Sequence, residues 1–214
     1  MSDSPSVRLP PIFEVSDGRD RWEPPIGLAA GLLLRDTSLP ALLHHVGANY
    51  PVAVDIDSIE GLAEDEAACE FLVGRLGFRI VLAHRVATAA CIAAMGGLAL
   101  LRVFAVDGTG LRRSLETSPR LEQIGSAVSP GIVLPHLAVN ELAMLPRPIL
   151  AYGLIDRPSD VSACLQRADS IALSRAAMAR ILHPGPSSAN HEVGRDGASN
   201  LRPPRAAGTL GSGT

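Results

Sequence analysis

Apolar residues in this chain come in short runs separated by mixed segments, and the runs number eight. They are PIFEV (11–15), IGLAAGLLL (26–34), PVAVDID (51–57), RIVLAH (79–84), LALLRVFAVD (98–107), GIVLP (131–135), PILAYGLI (148–155) and SIALS (170–174). Each is rich in aliphatic residues and most are bounded by Gly, Pro or polar residues, the pattern of a buried strand. The segments between them read as helices. AEDEAACEFLVGRL puts Glu64, Asp65 and Glu66 in a first turn, where carboxylates complement the helix dipole, and repeats Ala68, Phe71, Leu72 and Leu76 at helical spacing. RVATAACIAAMG closes on Gly96, while RPSDVSACLQRA offers Ser159 as an N-cap ahead of Val161, Leu165 and Ala168. LPALLHHVG is a further helix, with His44 and His45 facing solvent.

Strands alternating with helices predict an α/β fold with a parallel sheet, and eight strands close a (β/α)8 TIM-like barrel. An open doubly wound sheet is the alternative, without a G-x-G-x-x-G after the first run to support it. The first connection is anomalous. Only SDGRDRWEPP separates the first two runs, and a parallel crossover usually takes about a dozen residues or more. The barrel is therefore expected to have a shortened or missing first helix, with Trp22 plugging the gap, or to be partly open there.

Composition sharpens this picture. The chain is 47% hydrophobic but only 3% aromatic, so Ala, Leu, Val and Ile must fill the core. Every basic side chain is Arg, so lysine Schiff-base chemistry is not available. The net charge of -3 argues against a chain that coats nucleic acid non-specifically, although Arg112, Arg113 and Arg120 offer a local basic patch or simply a solvated helix face. Cys69, Cys91 and Cys164 are spaced for neither a disulfide framework nor a zinc site and read as small buried hydrophobes. No cofactor or metal is called for, since His84 and His136 lack ligand spacing and suit a polar rim.

The N-terminus reads as no signal peptide, and the longest apolar run, AACIAAMGGLALL (89–101), is too short to span a bilayer. A soluble, cytoplasmic protein with no membrane partner is expected. The expected organisation is a flexible start (1–10), one folded barrel domain (11–183) and a disordered Gly/Pro/Ser-rich tail (184–214).

Chemistry in such a barrel sits at the C-terminal ends of the strands. Asp55 and Asp57 stand two apart at the end of the third run, so alternation puts them on one face, with Glu60 and Gly61 following in the loop. Capping the next helix would explain these carboxylates equally well. Arg102 lies inside the otherwise apolar fifth run, which Asp107 closes. A charge there must be paired or exposed, and the acids of the third strand end are the natural partners, for a ligand site or a purely structural ion pair. The last two loops of this fold commonly hold phosphate. Here Gly153 allows a close backbone approach, and Ser174 and Arg175 stand at the start of the final helix as donors. A turn glycine and an N-cap serine explain the same letters.

The segments DIDSIEGLAEDE, LLRVFAVD, SPGIVLPH, PILAYGLI and IALSRAAM resemble, in order and approximate spacing, the glycerol-3-phosphate-responsive antiterminator family. The resemblance covers about residues 25 to 182, and its most specific element is D-x-I-E-G-L at 57–62. It implies a (β/α) barrel that senses glycerol 3-phosphate and acts on leader mRNA of glycerol-utilisation genes to prevent premature termination. It also implies that Asp57, Glu60 and Gly61 form an acidic loop, that Arg102 and Asp107 belong to the fifth strand and that Leu134 and Pro135 belong to the sixth. Gly153, Leu154 and Ser174 correspond to the phosphate end. The chain departs from the family pattern at Asp55, where His is usual, at His84-Arg85 for Thr-Lys, at Ile132 for an acid and at His136 for Gly. It also has Tyr152-Gly153 where the family has Gly-Gly. A side chain at Tyr152 is expected to crowd a phosphate cradle.

A regulatory, non-enzymatic barrel binding glycerol 3-phosphate is thus the leading expectation, with leader mRNA as a partner and a homo-oligomer left open. The alternatives are a metabolic enzyme (isomerase, lyase or phosphodiesterase) using Asp55, Asp57 and Glu60, and an interaction protein that has lost the pocket.

Overall fold

The structure, a computed structural model, describes residues 7–106, 108–117 and 123–182. The expectations for Asp107, for Arg120 and for the tail lie outside these residues. Eight parallel strands form a closed barrel: β1 (Ile12–Ser16), β2 (Ala30–Leu34), β3 (Val52–Asp55), β4 (Ile80–Ala83), β5 (Leu98–Phe104), β6 (Ile124–Ser129), β7 (Ile149–Tyr152) and β8 (Ser170–Ser174). Each pairs with its neighbours in sequence, and β8 closes the ring on β1. Outside stand α1 (Leu39–Leu43), α2 (Glu66–Cys69, continued as a π-helical turn over Glu70–Arg75), α3 (Val86–Ala94), α4 (Gly108–Thr117), α5 (Val139–Met144), α6 (Pro158–Leu165) and α7 (Arg175–Leu182). This is the (β/α)8 barrel read from the sequence, and no helix joins β1 to β2. Trp22 occupies that gap, 5% exposed and edge-on to Tyr50 with ring centroids 4.6 Å apart.

Strand alternation sorts the core into an inside and an outside. Phe13, Leu33, Ala53, Ile80, Leu82, Leu98, Leu100, Ala127, Leu150, Tyr152 and Ala172 pack as one cluster in the barrel. Leu33, Leu82 and Leu100 are fully buried there, each burial contributing about 1.5–3 kcal/mol. The outward residues pack under the helices in two further clusters, one around Leu42, Leu72 and Ile92 and the other around Leu134, Cys164 and Met178. Cys69 and Cys164 are buried and Cys91 is half-buried. Burial, with Cys91 alongside, pushes the Cys69 thiol up to about 12.

The sixth strand is not where the apolar pattern put it. IGSAVS (124–129) forms β6, and GIVLPH (131–136) is a 3-10 helix, so Leu134 and Pro135 lie on no strand. Both segments are apolar enough to be buried, and a short apolar run does not by itself reveal its period. Pro135, inside the second segment, carries no N–H for a ladder, which counts against a strand there. β6 looks weak because of Gly125 and Ser126, yet both suit their sites. A Cβ on Gly125 would meet the Pro148 carbonyl oxygen and, at 2.9 Å, a Leu100 methyl, while Ser126 Oγ donates to the Pro146 carbonyl at 2.8 Å.

Smaller corrections follow the same logic. β2 starts at Ala30, and Ile26 is fully exposed. His45 is buried, not solvent-facing, because α1 ends at Leu43 and the following turn points the ring inward. Its ring nitrogens lie 3.1 Å from Tyr50 Oη and 3.2 Å from the Gly18 carbonyl. Helix α6 starts earlier than expected, on Pro158, and Asp160 instead of Ser159 binds the open backbone, accepting from Arg157 N–H. In α2 the N-cap is Asp65, which accepts from Ala68 N–H at 2.9 Å. Glu64 turns away to accept the N–H groups of His84 and Arg85, each at 2.9 Å, at the start of α3.

Candidate ligand-binding site

Four inward positions meet at the C-terminal mouth. Asp55 closes β3, Tyr152 closes β7, Arg102 lies two residues beyond Leu100 on β5, and Arg35 directly follows β2. They share the pleat of Ala53, Leu150, Leu100 and Leu33, so alternation turns all four toward the barrel axis. Arg35 Nε donates to Asp55 Oδ2 at 2.8 Å. Arg102 Nε donates to the Tyr152 hydroxyl at 3.0 Å, and its Nη1 donates to Asp57 Oδ2 at 3.3 Å. The same Nη1 lies 3.8 Å from Asp55 Oδ1, an ion-pair distance too long for a hydrogen bond. The Arg35 guanidinium sits over the Tyr152 ring, 5.4 Å from its centroid.

Asp57 reaches this group by a different route from strand alternation. β3 ends at Asp55, and Ile56–Ser58 is a 3-10 turn that buries Ile56 and carries Asp57 over the mouth. Ser58 Oγ pins the turn, donating to the Asp55 carbonyl and accepting from Asp36 N–H, both at 3.0 Å. Thr37–Ser38 and Ile59–Glu60 then pair as a short parallel ribbon that ties the loops after β2 and β3 together. Glu60 and Gly61 are exposed in or just beyond this ribbon, and Gly61 has φ 86°.

Asp55 is fully buried, and its Oδ1 has no hydrogen-bond partner. Burial pushes its pKa up, against the lowering pull of Arg102 and Arg35. An acid whose pKa rises on folding favours the fold most when neutral. Wild-type protein should therefore gain stability relative to Asp55→Asn as pH falls from the raised value toward the ordinary aspartate value, because Asn takes up no proton. Thermal midpoints of the two proteins, measured across that window, check the sign. A wild-type midpoint that falls relative to that of Asp55→Asn as the pH is lowered through that window contradicts it.

The other residues read as phosphate donors are spread along the rim. Gly153 and Leu154 both have left-handed φ, 84° and 59°. For Leu154 this costs about 1–2 kcal/mol, and its side chain is 69% exposed, so packing does not repay the cost. Ser174 Oγ accepts from Ala177 N–H at 3.2 Å as the cap of α7. Arg175 turns to the outer wall, donating to Glu14 Oε1 and Asp20 Oδ2 at 2.9 Å each. Tyr152 points down the barrel axis and becomes a partner of both arginines. Arg35 was not among the expected site residues, because it stands just past its apolar run (26–34) while Arg102 interrupts one (98–107). Among the described residues no three of His, Cys, Asp and Glu converge as a metal site requires, and no helix is long and apolar enough to cross a membrane.

The glycerol uptake operon antiterminator-related protein of Thermotoga maritima MSB8 shares this fold at 22% identity, with a TM-score of 0.60 over 78% of this chain and 96% of that one. The glycerol uptake operon antiterminator regulatory protein of Listeria monocytogenes str. 4b F2365 does so at 18% identity, with a TM-score of 0.62 over 78% of this chain and 95% of that one. Among curated proteins none matches this chain. Residues 37–178 match the family described as glycerol-3-phosphate responsive antiterminator. That span takes in most of the barrel and all of the mouth cluster except Arg35, and the chain belongs to this family of regulators.

Proposed function

We propose that this chain is a non-enzymatic, cytoplasmic regulator that binds glycerol 3-phosphate at the barrel mouth and acts on leader mRNA. The observation that carries the reading is Asp55 Oδ1, a buried acceptor without a donor, beside two guanidinium groups. A buried carboxylate oxygen left without a hydrogen bond is costly, and a ligand hydroxyl would relieve that cost. Arg35 and Arg102 supply the positive charge that a phosphate ester needs, and the left-handed Gly153–Leu154 segment supplies backbone close to the rim. Regulation requires that the ligand favour one arrangement of the mouth over another. The Arg102–Tyr152 bond is the element it would alter, because a phosphate competes with the Tyr152 hydroxyl for the same guanidinium.

Glycerol 3-phosphate at about a hundredfold excess over its Kd should stabilise the protein by roughly 2.7 kcal/mol. At about 2–4 °C per kcal/mol for a chain of this size, that is a rise in thermal midpoint of about 5–11 °C. Glycerol should do far less, since it lacks the charge. A flat response to glycerol 3-phosphate by the wild type, with a clear rise for Tyr152→Phe, would favour the second reading: a mouth closed by its own Tyr152–Arg102 bond, in an interaction protein.

A further inference from the structure

Beside the mouth, the ends of β4 and β5 and the flank of α4 enclose a groove of about 210 Å³ lined by His84, Val86, Leu101, Arg102, Phe104, Arg113 and Ser114. No carboxylate is among these residues, unlike the clefts that contain Asp20 and Glu23 or Glu64, Asp65 and Glu66. Phe104 is the last residue of β5 and remains 37% exposed. The His84 ring lies 5.5 Å away, tilted by 57°, and the Arg102 guanidinium lies 5.3 Å over the Phe104 ring. Val86 is also 37% exposed and the neighbouring Val106 76%. Aromatic and basic groups thus stand together at an open rim.

We propose that this groove is a stacking site for one unpaired base of a single-stranded RNA, with Phe104 as its platform. The inference rests on the antiterminator reading above and gives it an RNA contact point. The volume is below the roughly 300–1,000 Å³ of an ordinary small-molecule pocket, so it suits a single planar ring and not a whole cofactor. Stacking tolerates any base, because every base has a π-face, and cationic side chains reinforce it. Duplex RNA shows its base edges only in a shallow groove, so a recessed platform of this kind selects an unpaired strand. Arg102 belongs to both sites: its Nε and Nη1 bind Tyr152 and Asp57, and its guanidinium covers the Phe104 ring. A ligand that draws Arg102 toward the mouth changes the face that Phe104 offers, which couples the two sites through one side chain.

The test is fluorescence anisotropy of the full chain with a labelled, unstructured uridine-rich oligonucleotide over a range of salt. Phe104→Ala should bind about tenfold more weakly or worse, while Phe104→Trp, which keeps a stacking ring, should bind as the wild type does. Wild-type binding that Phe104→Ala leaves unchanged overturns the stacking site while the antiterminator reading stands. Absence of RNA binding by the wild type overturns both. Uridine monophosphate binding as tightly as the oligonucleotide makes this a free-nucleotide site and overturns the assignment to RNA. If Phe104→Ala instead abolishes self-association in sedimentation, with RNA binding intact, the face is a protein interface and the proposal fails.

Discussion

Replacing Tyr152 with alanine is expected to lower the stability of the fold by about 3–5 kcal/mol, the usual cost of truncating a buried aromatic ring. In a chain of this size that is a fall in thermal midpoint of roughly 6–20 °C. Tyr152 is 2% exposed and belongs to the cluster inside the barrel, where Leu150 and Ala172 leave no side chain able to replace its ring. Truncation also removes the acceptor of Arg102 Nε and the ring beneath Arg35, so two cations at the mouth lose a partner at once. Tyr152→Phe separates these contributions. It keeps the ring and gives up only the hydroxyl, for a loss of about 1.5–3 kcal/mol, the range for a hydrogen bond to a charged group. A fall of less than roughly 3 °C for Tyr152→Ala would show that the ring does not fill the barrel. Where the family pattern has a glycine pair, this chain has built the aromatic residue into its core, so glycine at 152 would open a cavity before it opened a cradle.

Gly125→Ala should be comparably severe, at about 3 kcal/mol or more, the upper end of the cost of overpacking a core. The reason is steric. The added methyl would press against the Pro148 carbonyl oxygen, which is backbone, and would lie 2.9 Å from a Leu100 methyl. Strand β6 pairs with both β5 and β7, so neither neighbour can withdraw without breaking a ladder. Gly74→Ala serves as the control, because its Cβ would meet only the flexible side chain of Glu70 at 3.7 Å. Equal midpoints for the two variants, by calorimetry or circular dichroism, would mean that β6 does not run against Pro148 as described.

The sequence alone determined the class of fold and much of its layout. Six of the eight barrel strands lie within apolar runs and β1 overruns its run by Ser16 alone, and the short SDGRDRWEPP connection foretold a barrel without a first helix, with Trp22 covering the gap. These features are legible because burial on both faces of a strand is written locally, as aliphatic runs bounded by Gly, Pro and polar residues. The need of Arg102 for acidic company was legible for the same reason, since an isolated charge in an apolar strand has to be compensated.

Tertiary structure decided the partners. IGSAVS forms the sixth strand with Gly125 passing under the Pro148 carbonyl, a contact that no window of sequence contains. Arg35 joined the mouth only because β2 and β3 pair side by side, and Asp57 only because a 3-10 turn, held by Ser58, replaced the expected strand. Arg102 met Tyr152 across 50 residues, and Arg175 was drawn from the expected phosphate end to Glu14 across 161. A local pattern records that a side chain must be buried or paired. Closure of the barrel brings distant strand ends together, and that decides with what.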